Sequence, residues 1–350
     1  MDNYHINNGE WLRTGGPKSE IAVSTRVRLA RNLANRRFPT HPDQSERQEV
    51  LDEIRDAFMA VPCGRDLTWR ELDAQPTLDR RLLMERHLIS RELADGVGPR
   101  AVAFDAQEAT AVMVNEEDHL RLQSMRSGLR LREAFDFINR LDSELATRLE
   151  FAFDPSYGYL TSCPTNVGTG LRTSVMLHLP GLVMTQHIEK VFRATYEMRM
   201  TVRGFYGEGT EASGELYQIS NQITCGRSEA EILEDMEAAI AAIIEYEEKA
   251  RRELATKERP RLEDRVWRSL GILRNARLMS SEEAMRHLSS LRLGVVMGLL
   301  GKITLEDVQR LFLLTQPAHL QQIEGRELES NDRDIARAHF LRKQLETEAN

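Results

Sequence analysis

The sequence predicts an α+β fold, a sheet flanked by helices over residues 1–258 followed by an all-α segment over residues 259–350. Short apolar runs of strand length alternate with helical stretches from Ile21 to about Gly226, the pattern of a sheet with helices packed on it. Past a charge-dense stretch from Glu247 to Asp264, interrupted by the breaker Pro260, every plausible element has helical periodicity. With 350 residues, 41% of them hydrophobic and 29% charged, the chain has apolar material for one large core or two domains.

The elements can be taken in order. Ser24 to Arg28 reads as extended, with Arg26 and Arg28 on one side. Ala111 to Val114 is a compact apolar strand, and Met198, Met200 and Val202 alternate with Arg199, Thr201 and Arg203 as a further one. A helix starts at Ser228, where Ser-x-x-Glu to Glu231 is a capping box, and Ile232, Met236, Ile240 and Ile243 share its buried face. Helices follow around 266–278, 281–291, 305–314 and 332–345, and the domain boundary falls near Arg259. There is no internal repeat and no low-complexity segment.

Composition narrows the class of function. Three cysteines, Cys63, Cys163 and Cys225, are odd in number and scattered, so neither a disulfide framework nor a zinc ribbon is expected, and a reducing cytoplasm fits them best. The polar N-terminus has no signal-peptide pattern, and no run nears the roughly 18 apolar residues needed to span a bilayer. A net charge of −8 argues against nucleic acid as the main ligand. Only six of the 47 basic residues are lysine; GC-rich codon usage explains most of that bias, while bidentate phosphate recognition can explain it only at particular arginines.

No P-loop, Rossmann glycine fingerprint or protein-kinase motif is present, so a bound nucleotide would have to be held by something else. Four segments offer arginines and acids instead. Ser24-Thr25-Arg26-Val27-Arg28 presents two guanidinium forks, though a solvated strand face would read the same. Asn115-Glu116-Glu117-Asp118-His119, followed by Arg121, puts three acids at a strand end, suited to general-base work, with a solvated turn before a helix as the plain alternative. Ser162-Cys163-Pro164-Thr165-Asn166 leads into Gly168-Thr169-Gly170 and Arg172, where a thiol stands beside small polar residues and an arginine. Arg203-Gly204-Phe205-Tyr206-Gly207-Glu208 is a glycine loop carrying one arginine and one carboxylate, of the kind that can close over a ligand.

In this order, and with His87, the four segments resemble the catalytic domain of the ATP:guanidino phosphotransferases, the phosphagen kinases, from about Ile21 to Ile243. The Asn-Glu-Glu-Asp-His and Cys-Pro-Thr-Asn motifs are specific in combination. The helical domain that precedes this block in creatine and arginine kinases is not expected here, because the block starts within the first 25 residues; in that respect the chain resembles the bacterial protein-arginine kinases over essentially its whole length. The resemblance implies a largely antiparallel, glutamine-synthetase-like sheet flanked by helices, followed by an all-α C-terminal domain.

It also implies a chemistry. A guanidinium, with a pKa above roughly 12, must be held and deprotonated before it can attack phosphorus. Two carboxylates can do both, and the resemblance gives those roles to Glu117 and Glu208, with Glu117 the base and Cys163 beside the same guanidinium. For ATP it implies phosphate contacts from Arg26, Arg28, Arg121, Arg172 and Arg203, packing by His87, and further lining from Ser24 to Arg28, from Thr173, Ser174, Val175 and Met176, and from Gly204, Phe205, Tyr206 and Gly207. Mg²⁺ would bridge phosphate oxygens, with no dedicated protein metal site. The segment Arg333-Asp334-Ile335-Ala336-Arg337-Ala338 matches an element associated with a regulatory phosphoarginine pocket, and Arg333 and Arg337 share a helix face.

Partners implied in the same way are protein substrates with exposed arginine, a zinc-containing activator, an ATP-dependent protease acting in stress response and quality control, and a second copy of the chain. The alternatives are a kinase for a free guanidino metabolite, a non-catalytic phosphoarginine-binding adaptor and, more remotely, a carboxylate–amine ligase. The intact carboxylate pair and five arginines weigh against an inactive adaptor.

Overall fold

In the computed structural model, residues 9–39, 43–204 and 213–346 are described. The first strands and helices are β1 (Ala22–Arg31), α1 (Gln44–Ala60), β2 (Thr68–Glu71), α2 (Thr77–Glu85), α3 (Arg91–Asp95), β3 (Ala101–Phe104), β4 (Thr110–Val114), β5 (Leu120–Ser127) and α4 (Leu131–Leu145). They are followed by β6 (Phe153–Asp154), β7 (Gly158–Tyr159), β8 (Leu171–His178), α5 (Pro180–Met184), α6 (Ile188–Glu197), β9 (Met200–Gly204) and β10 (Leu216–Asn221). Helices complete the chain: α7 (Glu229–Lys257), α8 (Arg259–Asn275), α9 (Ser281–Val296), α10 (Leu305–Leu314), α11 (Pro317–Glu324) and α12 (Ser330–Glu346). Among the described residues the main sheet has eight strands in the order β2-β3-β4-β5-β1-β8-β10-β9, and β6 and β7 form a separate hairpin. The fold class is the one the sequence predicts, a helix-flanked sheet followed by helices.

The chain divides into two compact units, the first made of residues 1–11, 24–175 and 220–238, the second of 12–23, 176–219 and 239–350. In the first unit β2 to β5 pair successively as antiparallel neighbours, and β5 pairs antiparallel with β1, placing Arg28 opposite Gln123 and Ala30 opposite Arg121. Alternation then divides the side chains of these strands between two faces. Val27, Leu29, Leu120 and Leu122 join Val50, Leu51 and Ile54 of α1 and Ala134, Ile138 and Leu141 of α4 in one core. Burial of each such aliphatic side chain contributes about 1.5–3 kcal/mol. On the other face, Ala111 and Met113 of β4 pack with Leu83, Leu88, Ile89 and Leu93.

In the second unit Leu262, Val266 and Leu270 of α8, Leu288 and Leu291 of α9, Leu311 of α10 and Leu341 of α12 form the core. Thr304 and Asp307 close a capping box on α10. Between Glu247 and Asp264, α7 continues through Lys257, the break falls at Glu258, and Pro260 lies in the first turn of α8, where its missing N–H costs nothing. Met198 is the C-cap of α6 and not a strand residue, so β9 begins at Met200.

Candidate active site

β1 turns Thr25 and Val27, both fully buried, into the core and leaves Ser24, Arg26 and Arg28 half-buried on the opposite face. Strand alternation does the same on β8, where Thr173 and Val175 are buried and Arg172 and Met176 are half-buried; Ser174 is itself buried. The side chains of Thr25, Val27, Thr173 and Val175 are buried, so these positions would line a ligand through their backbone. The Arg28 guanidinium lies near those of Arg121, Arg26 and Arg172, with Glu116 the carboxylate that opposes them, and burial among like charges holds its pKa well below the ordinary arginine value. Its Nε is buried and has no hydrogen-bond partner among the described residues. Several cations clustered around one carboxylate, with a buried N–H unsatisfied, form an anion site.

The five residues between β4 and β5 form a hairpin turn, not a turn into a helix, and it divides three acids that look alike in sequence. Asn115 takes a positive φ of 57° and its amide donates to Arg47 O and Pro99 O. Glu116 accepts from Arg121 Nη1 at 2.6 and 2.7 Å, and that pairing lowers its pKa against the opposing effect of burial. Asp118 is buried and accepts from Asn32 Nδ2 and from Ser162 N, both at 2.7 Å. His119 Nδ1 accepts from Leu33 N at 3.0 Å, and Nε2 lies 3.0 Å from Arg37 O; burial drives its pKa down to about 4. Glu117 alone of the five is exposed. Partial desolvation, then the carboxylates of Asp118 and Glu116, raise its pKa above the usual carboxylate value.

Cys163 reaches this carboxylate. Its thiol lies close enough to that carboxylate to lower the Glu117 pKa, against the larger raising effects, and is 3.0 Å from Thr165 Oγ1. The segment is fixed from both sides: Ser162 N is bound by Asp118, and Thr224 Oγ1 donates to Thr165 O and Val167 O. Gly168, at φ 111°, brings its backbone so close to Thr224 that a Cβ would stand 2.5 Å from that carbonyl oxygen, which explains the glycine after Cys-Pro-Thr-Asn-Val.

His87 occupies a left-handed turn after α2 with φ 60°, and its carbonyl accepts from Gln123 Nε2 at 2.7 Å. Its ring meets Trp11 edge-on at 4.8 Å, a neighbour that sequence reasoning missed because the two are far apart in the chain. Burial, with Arg26 nearby, lowers its pKa to about 3, so the imidazole is neutral and apolar in character at pH 7. The structure thus brings together Arg26, Arg28, His87, Glu117, Arg121, Cys163 and Arg172. Arg203 and Gly204 end β9 in the second unit; Phe205, Tyr206, Gly207 and Glu208 lie outside the described residues. On α12, Arg337 is buried and donates to Thr315 O, Met279 O and Asp334 Oδ1 at 2.9, 2.8 and 2.8 Å, while Arg333 Nη1 donates to Leu328 O. Asp334 orients the Arg337 fork, and Ile335 stands exposed at 51%.

An antiparallel sheet carrying an arginine-lined anion site beside a carboxylate–thiol pair defines a guanidino phosphotransferase. Residues 49–250 match the family profile described as ATP:guanido phosphotransferase, C-terminal catalytic domain. Among solved structures, the duplicated taurocyamine kinase of Schistosoma mansoni superposes with a TM-score of 0.61 at 27% identity over 69% of this chain and 35% of that one. Lombricine kinase does so at 0.60 and 25% over 67% of this chain and 68% of the other. Residues 259–350 match the profile described as Protein-arginine kinase McsB C-terminal domain. The protein-arginine kinases of Symbiobacterium thermophilum and Bacillus subtilis are 46% and 43% identical over 96% and 97% of this chain, covering 96% and 94% of their own lengths. The chain belongs to the protein-arginine kinase family.

Proposed function

We propose that this protein transfers the γ-phosphoryl group of ATP to the guanidinium of arginine side chains in other proteins. Family membership, together with the Glu117–Cys163 pair beside the arginine cluster, carries that reading. Arg26, Arg28, Arg121 and Arg172 neutralise and align the triphosphate, which satisfies the buried Arg28 Nε. Neutral His87 and Trp11 offer the nucleotide an apolar edge. The family resemblance adds Arg203 to the phosphate contacts and Glu208 to the guanidinium contacts.

Glu117 accepts a proton from the substrate guanidinium as a nitrogen attacks the γ-phosphorus; the P–N bond forms, the P–O bond to ADP breaks, and the proton remains on Glu117. Its raised pKa makes it a better base than an ordinary glutamate. Cys163, beside the same carboxylate, favours its ionised form. Among the described residues no three His, Cys, Asp or Glu side chains converge into a metal-ligand set. The donors suit an anion, and Mg²⁺ belongs with the phosphate oxygens, where it adds charge neutralisation.

We assign catalysis to residues 1–258 and regulation by phosphoarginine to residues 259–350 through Arg333 to Ala338. A zinc-containing activator, an ATP-dependent protease acting in stress response, and self-association complete the proposal. No helix among the described residues is long and apolar enough to cross a membrane; the scattered free cysteines suit the cytoplasm.

The test offers γ-labelled ATP and Mg²⁺ with free arginine in one reaction and an unfolded protein in another, with Glu117→Gln as control. Acid-labile label on the protein, absent from the control and from free arginine, is the expected result, since a P–N bond is acid-labile and a phosphoester is not. Label on free arginine alone would make this a kinase for a small guanidino metabolite.

A further inference from the structure

The hairpin of β6 and β7 carries two aromatic side chains that no core uses. Phe153 is 58% exposed and Tyr157 62% exposed. Lone exposed apolar residues need no explanation, but Phe153 stands on a built support and Tyr157 follows it in the same hairpin turn. The Phe153 ring meets Tyr159 edge-on at 5.3 Å, and Tyr159 meets Phe151 at 6.3 Å. The Arg31 guanidinium stacks on the Tyr159 ring at 3.5 Å and is tied by a buried 2.8 Å ion pair to Asp142 on α4. A surface aromatic whose neighbours are pinned in this way binds with little loss of side-chain freedom.

The hairpin is also joined to the reacting groups. Asn32 Nδ2 donates to both Leu160 O and Asp118 Oδ1, so the strand leaving the hairpin is held to the residue after Glu117. Gly158, at φ 82°, lies so near Gly168 that a Cβ would stand 2.6 Å from its carbonyl oxygen, which fixes the hairpin against the segment following Cys163. From Tyr157 to Cys163 the chain spans six residues, at most about 20 Å even if fully extended.

We propose that Phe153 and Tyr157 form a substrate-selecting platform that receives an apolar side chain lying about two to four residues from the target arginine in an extended polypeptide segment. The inference rests on the protein-arginine kinase reading and deepens it. At about 3.3 Å per residue, neighbours two to four positions from an arginine held at Glu117 lie about 7–13 Å along an extended substrate, inside that bound of about 20 Å. Such a platform selects unfolded segments, because a folded protein has already buried the apolar side chain it needs.

The test uses two soluble peptides of equal charge, each with one arginine, one with leucines two to four residues away and the other with serines there, and reads kcat/KM from acid-labile phosphate. The full-length wild-type chain is expected to prefer the leucine peptide by about tenfold, the effect of one well-buried apolar contact. In Phe153→Ala/Tyr157→Ala the ratio falls toward one through a higher KM for the leucine peptide, while Phe153→Leu keeps most of it. ATP-induced thermal stabilisation checks folding, and if the double variant fails that check, Tyr157→Ala alone carries the comparison. A wild-type ratio near one, or a ratio unchanged in the variants, overturns the platform and leaves the kinase reading standing; transfer to neither peptide by the wild type overturns both.

Discussion

Glu116→Gln tests the arrangement of the arginine cluster without touching the group assigned to proton transfer. Glu116 has a side chain only 1% exposed, bonded to Arg121, which keeps 23% of its own side chain open. Its charge is also the one that offsets the repulsion Arg28 receives from Arg121, Arg26 and Arg172. Breaking a buried pair from one side costs about 3–5 kcal/mol. Residual solvent at Arg121 and the amide oxygen that glutamine retains reduce this to about 2 kcal/mol, a drop of about 3 °C in melting temperature for a chain of this size.

The same substitution leaves the cluster one charge more positive, so an anion gains on the order of 1 kcal/mol there. Scanning calorimetry with and without ATP therefore has a two-part outcome: the variant melts earlier alone, and ATP raises its midpoint by more than it raises that of the wild type. An unchanged midpoint without ATP, or a smaller ATP-induced rise, would refute the counter-ion assignment.

The other acids of the turn give different results. Glu117→Gln lowers kcat about 10²–10⁴-fold with ATP affinity retained, as loss of a general base does; retention of the wild-type kcat would remove Glu117 from that role. In the wild type, kcat/KM falls as pH drops through the Glu117 pKa, which burial and neighbouring carboxylates place above the usual value, so the acid limb lies above that of a free glutamate and disappears in the variant. Asp118→Asn, where the acceptor of Asn32 and Ser162 loses its charge, destabilises by about 1–3 kcal/mol, read as a lower urea midpoint. His119 is neutral in the fold, with a pKa near 4 against 6.5 when unfolded. The unfolded chain therefore binds more protons below pH 6.5, and stability is lost as pH falls from 6.5 toward 4, reaching about 3 kcal/mol. His119→Asn should flatten the urea midpoint over that window.

The strands and their arginines were legible because alternation is a local signal: Arg26 and Arg28 are spaced by two, and the sheet puts them on one face. Helix starts with a side-chain cap were legible for the same reason, as at Ser228, where Ser228 N and Glu231 N are both satisfied across the capping box. The interval from Glu247 to Asp264 was not, since charge there reflects solvent-exposed helix surface as well as two inward groups. Glu247 is fully buried, accepting from Gly181 N, Leu182 N and Arg251 Nε, and only the tertiary fold reveals which glutamate of the run does so.

The sequence names the residues of the candidate site but not their division of labour. Glu116, Glu117 and Asp118 are adjacent acids, and nothing in their order says that one neutralises arginine, one is left to react and one braces the chain. The division comes from partners distant in sequence: Arg121 is five residues from Glu116, but Asn32 and Ser162 are 86 and 44 residues from Asp118. Once those two partners consume Asp118 Oδ1, and Arg121 consumes both oxygens of Glu116, Glu117 is the carboxylate of the turn left open to solvent. In the proposed mechanism, satisfying its neighbours is how the fold leaves Glu117 to act as the base. A substitution that frees either neighbour should therefore disturb catalysis through Glu117 even though it never meets the substrate.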